Sequence, residues 1–297
     1  MCYRKKALFF TVEIQSVILV VSEGMDMQQN FNNEVLYYTF PEFEKYEDIV
    51  HAFSSREGGV SGGFYRTMNL GINTEDSMDN VLENYKIFFE ALDLDLNKIV
   101  LGQLSHEANI RNVTTDDAGC GLLKPFTYER IDGLLTNEPG LVLTATFADC
   151  VPVYFYDPVK KVVGMAHSGW RGTVKEIAGK MVERMVSDYG CDVKDIVAGI
   201  GPSIGMCCFE VDEDVFYDFT DLTYLGDGWY YEKENGHYDI DLWRVIWCTL
   251  TNRGILPENI TISGICTCCN RNVLFSHRAT KGRRGTMAGV ISLKDKK

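Results

Sequence analysis

The stretch that decides the fold is residues 144–173, TATFADCVPVYFYDPVKKVVGMAHSGWRGT. Two apolar runs, 151–156 and 161–166, flank Asp157-Pro158-Val159-Lys160. Proline presets φ at the second position of a turn and aspartate suits the first, so the stretch reads as a β-hairpin. If the hairpin is symmetric about Pro158-Val159, facing residues have numbers that sum to 317, and Cys150 faces His167. Their Cα atoms would then lie roughly 4.5–5.5 Å apart. Both residues sit at the open end, where a bulge shifts pairing by one. Taken singly, a cysteine and a histidine in a sheet are ordinary interior residues. Paired, with Asp149 before them and Ser168-Gly169-Trp170-Arg171-Gly172-Thr173 after, they form a candidate site.

Working outward, Thr173 and Glu176 read as a T-x-x-E capping box that opens a helix over 174–189, with Gly190 as its stop. Ile177, Met181 and Met185 recur at four-residue spacing beside Ala178 and Val182, a face that packs on a sheet. The capping box would place Ser168 to Gly172 at a helix N-terminus, where free N–H groups favour an anion and Arg171 adds a full charge. Upstream, a strand over 49–53 runs into residues 54–63, four of which are glycine; Gly58-Gly59 suggests positive φ. Arg56 in that loop is either a solvated side chain or an anion-binding guanidinium. Asn69-Leu70-Gly71 closes the segment. Val81, Leu82, Tyr85, Phe88, Phe89 and Leu92 mark a helix over 78–92. A short strand at 99–101 leads to Gln103-Leu104-Ser105-His106, and 141–147 is a buried run.

Downstream, strands are expected at 196–201, 260–264 and 287–293 and a helix at 241–252, with an acidic, aromatic, irregular segment at 218–236. Strands and helices alternate without repeat or linker, so the class is α+β (mixed α/β), with mixed sheets and a single domain over 27–297. The formal charge of −13 argues against nucleic acid or an anionic membrane as partner, though not against a small anion in a local basic pocket. The ten cysteines, with Cys207-Cys208 adjacent and Cys266, Cys268 and Cys269 clustered, are unlike a disulfide framework and suit a reducing, cytoplasmic setting. Residues 1–26 carry Arg4, Lys5 and Lys6 before an apolar run at 7–21. Glu13 and Gln15 interrupt that run, which is too short to span a membrane. With Met25 and Met27 as alternative starts, this stretch reads as an extension outside the domain.

Of five histidines, His106, His167 and His277 lie beside turns or strand ends, where sites are built. Two histidines and one cysteine with a fourth position open form a catalytic zinc set, which lowers the pKa of bound water toward about 7. Cys150 is the natural thiolate ligand beside His167; spacing alone does not bring in His106. Two other readings stay open. Cys150 and His167 suit the nucleophile–base pair of an amide hydrolase. Cys266-Thr267-Cys268-Cys269 suits a soft-metal site for Cu(I), although read as C-x-C-C it departs from the C-x₂-C of zinc knuckles.

The ordered series Ala148-Asp149-Cys150-Val151-Pro152, Ala166-His167-Ser168-Gly169-Trp170-Arg171-Gly172-Thr173, Gly201-Pro202-Ser203-Ile204-Gly205, Cys207-Cys208-Phe209-Glu210-Val211 and Phe275-Ser276-His277-Arg278 resembles the YfiH family from about residue 47 onward. These proteins were described first as laccase-domain polyphenol oxidases and then as purine nucleoside phosphorylases. The resemblance implies a layered sandwich related to Cys/His deamidases. It also implies a metal, zinc or copper, on His106, Cys150 and His167. It implies phosphorolysis of adenosine, inosine and methylthioadenosine with phosphate as co-substrate, plus adenosine deamination. Cys150 and His167 would be catalytic, with Arg56 and Asn69 near the nucleoside; Asp149 or Asp132 could move protons. Arg171 and Arg278 are candidates for phosphate. The chain departs from the family's Q-x-H at Gln103-Leu104-Ser105-His106, and His277 stands where tyrosine is more common.

Overall fold

The computed structural model describes residues 27–295; the expected extension at 1–26 lies outside the described residues. Two six-stranded sheets form the frame. The first runs β1 (Gln28–Asn32), β2 (Val35–Thr39), β3 (Ile49–Ser54), β15 (Met287–Leu293), β7 (Val142–Phe147) and β4 (Ile99–Leu101). The second runs β14 (Ile260–Ile262), β10 (Val197–Ile200), β8 (Val151–Asp157), β9 (Val162–Ser168), β6 (Gly133–Thr136) and β5 (Ile110–Asn112). Three pairs, β4–β7, β5–β6 and β10–β14, are parallel and the others antiparallel, so both sheets are mixed. A small sheet of β11 (Glu210–Val211), β13 (Tyr238–Ile240) and β12 (Tyr230–Glu232) stands apart.

Strand β8 explains the layering. All seven of its residues are buried, because both faces are covered. Tyr154 and Tyr156 join Phe53, Leu143, Phe147 and Ile291 of the first sheet in the layer between the sheets. Val153 and Phe155 face the other way, onto α4 (Ile177–Tyr189) and α6 (Leu242–Asn252). Helix α1 (Pro41–Glu44) is a single turn between β2 and β3; on the outer side of the first sheet, α2 (Met78–Ala91) packs Val81, Tyr85, Phe88 and Phe89 against Ala52, Val142 and Val290. The order is helix, sheet, sheet, helices. A strand between two such layers reads as a continuous apolar run rather than an alternating one.

The hairpin is present, but its register corrects the sequence-based expectation. Asp157 pairs with Val162 and Pro152 with His167, so facing numbers sum to 319. The loop holds four residues instead of two. Asp157 Oδ1 accepts the N–H groups of Val159 (2.8 Å) and Lys160 (2.9 Å), and Lys161 takes a left-handed φ of 54°. Moving the sum by two leaves every side chain on its expected face. Cys150 therefore lies diagonal to His167 rather than opposite it, just before β8 begins.

The capping box is a second correction. The expected single helix is two: α3 (Trp170–Val174), then α4, entered through Glu176 at φ 56°. Thr173 spends its hydroxyl on the Gly169 carbonyl (3.0 Å) and on Ser168 (2.8 Å). The Glu176 carboxylate accepts from Tyr224 (2.6 Å) and Arg253 (3.3 Å). Ser168 to Gly172 thus opens only a five-residue turn, not the long helix whose dipole was invoked for an anion. Gly190 ends α4 as expected, at φ 68°. The segment at 218–236 is less irregular than expected, since the end of α5 (Glu213–Thr220) and all of β12 fall within it. Of the glycine pair, Gly58 has φ 93°, whereas Gly59 serves close approach: a Cβ there would sit 2.4 Å from the Thr67 carbonyl oxygen.

Candidate active site

At one end of the inter-sheet layer, His106, Cys150 and His167 bring their ligand atoms within 4.8 Å of one another. Each comes from a different segment. His167 is the penultimate residue of β9 and faces Phe147 of the first sheet at 5.5 Å between rings. Cys150 precedes β8, and His106 belongs to the loop after β4. The two imidazoles meet edge to face at 5.0 Å.

Two of the three depend on unusual backbone. His106 itself has φ 61°, and Asp149, next to Cys150, has φ 86°. Residues with a Cβ adopt this region only when their surroundings impose it. For His106 the constraint is Asp132, almost wholly buried at the start of β6. Its carboxylate accepts the backbone N–H groups of Ser105, His106 and Glu107 at 3.0–3.2 Å and the Ser105 hydroxyl at 2.9 Å. His167 Nδ1 lies 2.9 Å from the same carboxylate. Burial works against the charge on Asp132, yet the His167 imidazole and these donors hold its pKa below the usual carboxylate value. An ionised Asp132 makes Nδ1 the donor, so Nε2 is the ring nitrogen left to a metal ion once its proton is lost. For Asp149, Oδ1 accepts from Thr267 Oγ1 and Oδ2 from the Arg278 backbone N–H, each at 2.6 Å.

Burial alone would raise the Cys150 pKa, but the charge of His167 and hydrogen bonds from both histidines bring it down to about 6. His167 behaves reciprocally: burial lowers its pKa, and the Cys150 thiolate with Asp132 pushes it up to about 9. The donor set fits a metal ion. It offers two imidazoles and a thiol poised to ionise, with a carboxylate orienting one imidazole from behind, as around protein-bound zinc. Gly169 closes over the cluster; a Cβ at that position would lie 3.0 Å from Cys150 Sγ and 3.0 Å from His106 Cδ2.

The other expected site residues are placed as follows. The Arg56 guanidinium donates from Nε to the Arg66 carbonyl (3.0 Å) and from Nη1 to that of Arg271 (2.8 Å), over the Phe275 ring. Asn69 uses its whole amide internally: Nδ2 on Thr74 and Asp76, Oδ1 on the N–H groups of Gly71 and Thr286. Arg278 donates to the carbonyls of Cys208 and Glu210. Arg171 is exposed and lies over Trp170, 4.2 Å from the ring centre. Sequence reasoning missed Arg284, whose buried Nε has no hydrogen-bond partner. Burial lowers its pKa, while Asp149 and Cys150 are close enough to counter that. The signal for it was Gly282-Arg283-Arg284-Gly285, two cations inside a turn. Of the remaining histidines, His51 is buried between the sheets and His237 pairs with Asp212 at 2.9 Å.

Residues 50–294 match the family described as multi-copper polyphenol oxidoreductase laccase. The chain belongs to that family. Its laccase-like relatives include YlmD of Bacillus subtilis, named a purine nucleoside phosphorylase, at 34% identity over 84% of this chain and 90% of that protein. The crystal structure of YlmD from Geobacillus stearothermophilus superposes with a TM-score of 0.84 at 33% identity, covering 91% of this chain and 100% of that one. That of the Bacillus licheniformis hypothetical protein YfiH gives 0.83 at 36%, covering 88% and 97%. The YfiH resemblance and the mixed α+β sandwich are thereby shown for this laccase-family chain. Among its described residues no helix is long and apolar enough to cross a membrane.

Proposed function

We propose that this chain is a purine nucleoside phosphorylase with a metal ion, zinc or copper, held by His106, Cys150 and His167. The observation that carries the reading is the convergence of these three donors around an Asp132-oriented imidazole, in a chain whose relatives bear that name. The ion, when bound, supplies a Lewis acid beside the reacting groups. The substrates under this reading are adenosine, inosine and methylthioadenosine with inorganic phosphate, and adenosine deamination is a second activity of the same centre.

The chain's own residues supply binding and orientation. Phosphate needs a cation near the cluster, and Arg284 suits it best, because a buried Nε without a partner is costly unless a ligand satisfies it. Arg171 can add a second guanidinium from the exposed side. Arg56, Asn69 and Arg278 take positioning roles, since their hydrogen bonds are already committed to the loops around the site. Asp149 keeps Cys150 aimed at the two imidazoles, and Asp132 does the same for His167.

The test is chromatography of inosine incubated with the enzyme, with and without phosphate. Hypoxanthine and ribose 1-phosphate in the phosphate arm alone are expected. Their absence under every metal condition overturns the reading.

One observation favours a second reading. Cys150, His167 and Asp132 also form a nucleophile, base and orienting carboxylate in series, as in Cys/His amide hydrolases. Activity that persists in metal-free protein and disappears on thiol alkylation would select this alternative.

A further inference from the structure

A second cluster lies outside the centre just described. Cys207 and Cys208 follow β10, and Cys266 and Cys269 follow β14. These two strands are parallel neighbours, so both loops leave the same end of the sheet. The pairing continues into the loops: Ser203 N–H donates to the Ile265 carbonyl (3.2 Å) and Thr267 N–H to the Ser203 carbonyl (2.9 Å). The four sulfurs lie within 4.8 Å of one another. Cys207 and Cys208 are separated by 3.8 Å, and each is 3.5 Å from Cys269. Four sulfurs, each about 2.3 Å from a central ion, form a tetrahedron with edges of about 3.8 Å. The observed separations of 3.5 and 3.8 Å lie close to that edge.

The backbone is arranged for a thiolate at Cys266 as well. Gly205 N–H points at Cys266 Sγ at 3.3 Å, and the Cys269 N–H bonds to the same sulfur. The second contact spans Cys266-Thr267-Cys268-Cys269, so the ligand spacing is C-x₂-C. Reading that run as C-x-C-C was mistaken, because Cys268 is the residue left out of the quartet. None of the described cysteines forms a disulfide.

We propose that Cys207, Cys208, Cys266 and Cys269 hold a zinc ion in a closed four-thiolate site, distinct from the His106, Cys150 and His167 centre. Four protein ligands leave no open position, so the ion is structural, and its binding releases the thiol protons to solvent. Tetrahedral four-sulfur coordination suits zinc better than the Cu(I) considered from sequence. The site has a definite structural task. Thr267, between two of the ligands, donates to one oxygen of Asp149, and Arg278, fixed to the Cys208 carbonyl, donates its N–H to the other. The zinc clamp therefore braces both anchors of the residue that aims Cys150.

The test uses full-length protein in which His106→Ala and His167→Ala disable the first centre, so that failure of the functional reading leaves this one testable. Elemental analysis after desalting is expected to find about one zinc per chain, which disappears when Cys207→Ser and Cys269→Ser are added. Because those variants can fail to fold, the unmodified protein supplies an independent measurement. Alkylation of Cys207 and Cys269, both exposed, is followed by mass spectrometry with and without a chelator. Zinc is expected to slow it about tenfold or more. A folded first-centre variant without zinc, immediate alkylation in zinc-replete protein, or a Cys207–Cys269 or Cys208–Cys269 disulfide would each overturn the proposal.

Discussion

At the scale of single residues, His106 and Asp149 hold left-handed backbone that costs on the order of 1–3 kcal/mol each. The cost is met by the donors that converge on the Asp132 and Asp149 carboxylates, so the strain is concentrated beside the reactive groups. Gly169 tests how tightly they are packed. With a Cβ at 3.0 Å from both Cys150 Sγ and His106 Cδ2, Gly169→Ala must push two donors apart. We expect metal affinity to fall about 10–100-fold while the melting temperature barely moves; competition against a chromogenic chelator measures the first and calorimetry the second. Cys150 and His167 were legible in the sequence because one hairpin carries both. His106 was reached only through resemblance, since 44 residues separate it from Cys150 and no local pattern joins them. Asp132 was visible as a possible proton carrier but not as the hub it is, because its partners lie 35 residues away at His167 and up to 27 away at Ser105.

At the scale of elements, the hairpin was read correctly as a hairpin and incorrectly in its pairing. A two-residue loop was assumed from the Asp-Pro pair, whereas the Asp157 carboxylate collects two N–H groups and a left-handed Lys161 widens the loop to four residues. Asp157 is wholly buried, and Asp157→Ala removes the acceptor of both N–H groups in the exposed β8–β9 turn. A loss of about 0.5–1.5 kcal/mol is expected from urea denaturation, with no change in the spectrum of the folded state. The capping box failed for a related reason. Thr173 and Glu176 have the right spacing, yet both side chains found partners outside their helix, and tertiary partners override a local motif.

At the scale of the whole molecule, the two sheets meet around His51. Its ring is enclosed by Phe43 (5.0 Å), Phe40 (5.9 Å) and Tyr154 (6.3 Å), and Nε2 accepts the Phe40 N–H at 2.7 Å. Burial in this apolar layer pushes its pKa down to about 3. The unfolded chain binds the proton first as pH falls, so the contribution of His51 is full above pH ~6.5 and is lost between there and about pH 3. The slope is about 1.4 kcal/mol per pH unit. His51→Gln keeps an acceptor for Phe40 but cannot charge, so its unfolding free energy should depend less steeply on pH in that window; an unchanged slope in denaturant titrations counts against the assignment. Alternation of strands and helices made the mixed class legible. The strand order of the first sheet was not, because it rests on pairings such as Val290 with Ala52, distant in the chain.

That last pairing has a consequence for synthesis. Strand β15 follows every other strand in the chain, yet it lies between β3 and β7 near the middle of its sheet. While the chain is being made, β3 and β7 each present an unpaired apolar edge until β15, which begins 140 residues beyond the end of β7, has been made. The first sheet closes by insertion of its last-made piece, a long-range step that is slow relative to local folding. Between the completion of β7 and that of β15, two open sheet edges must therefore be kept from pairing with other chains.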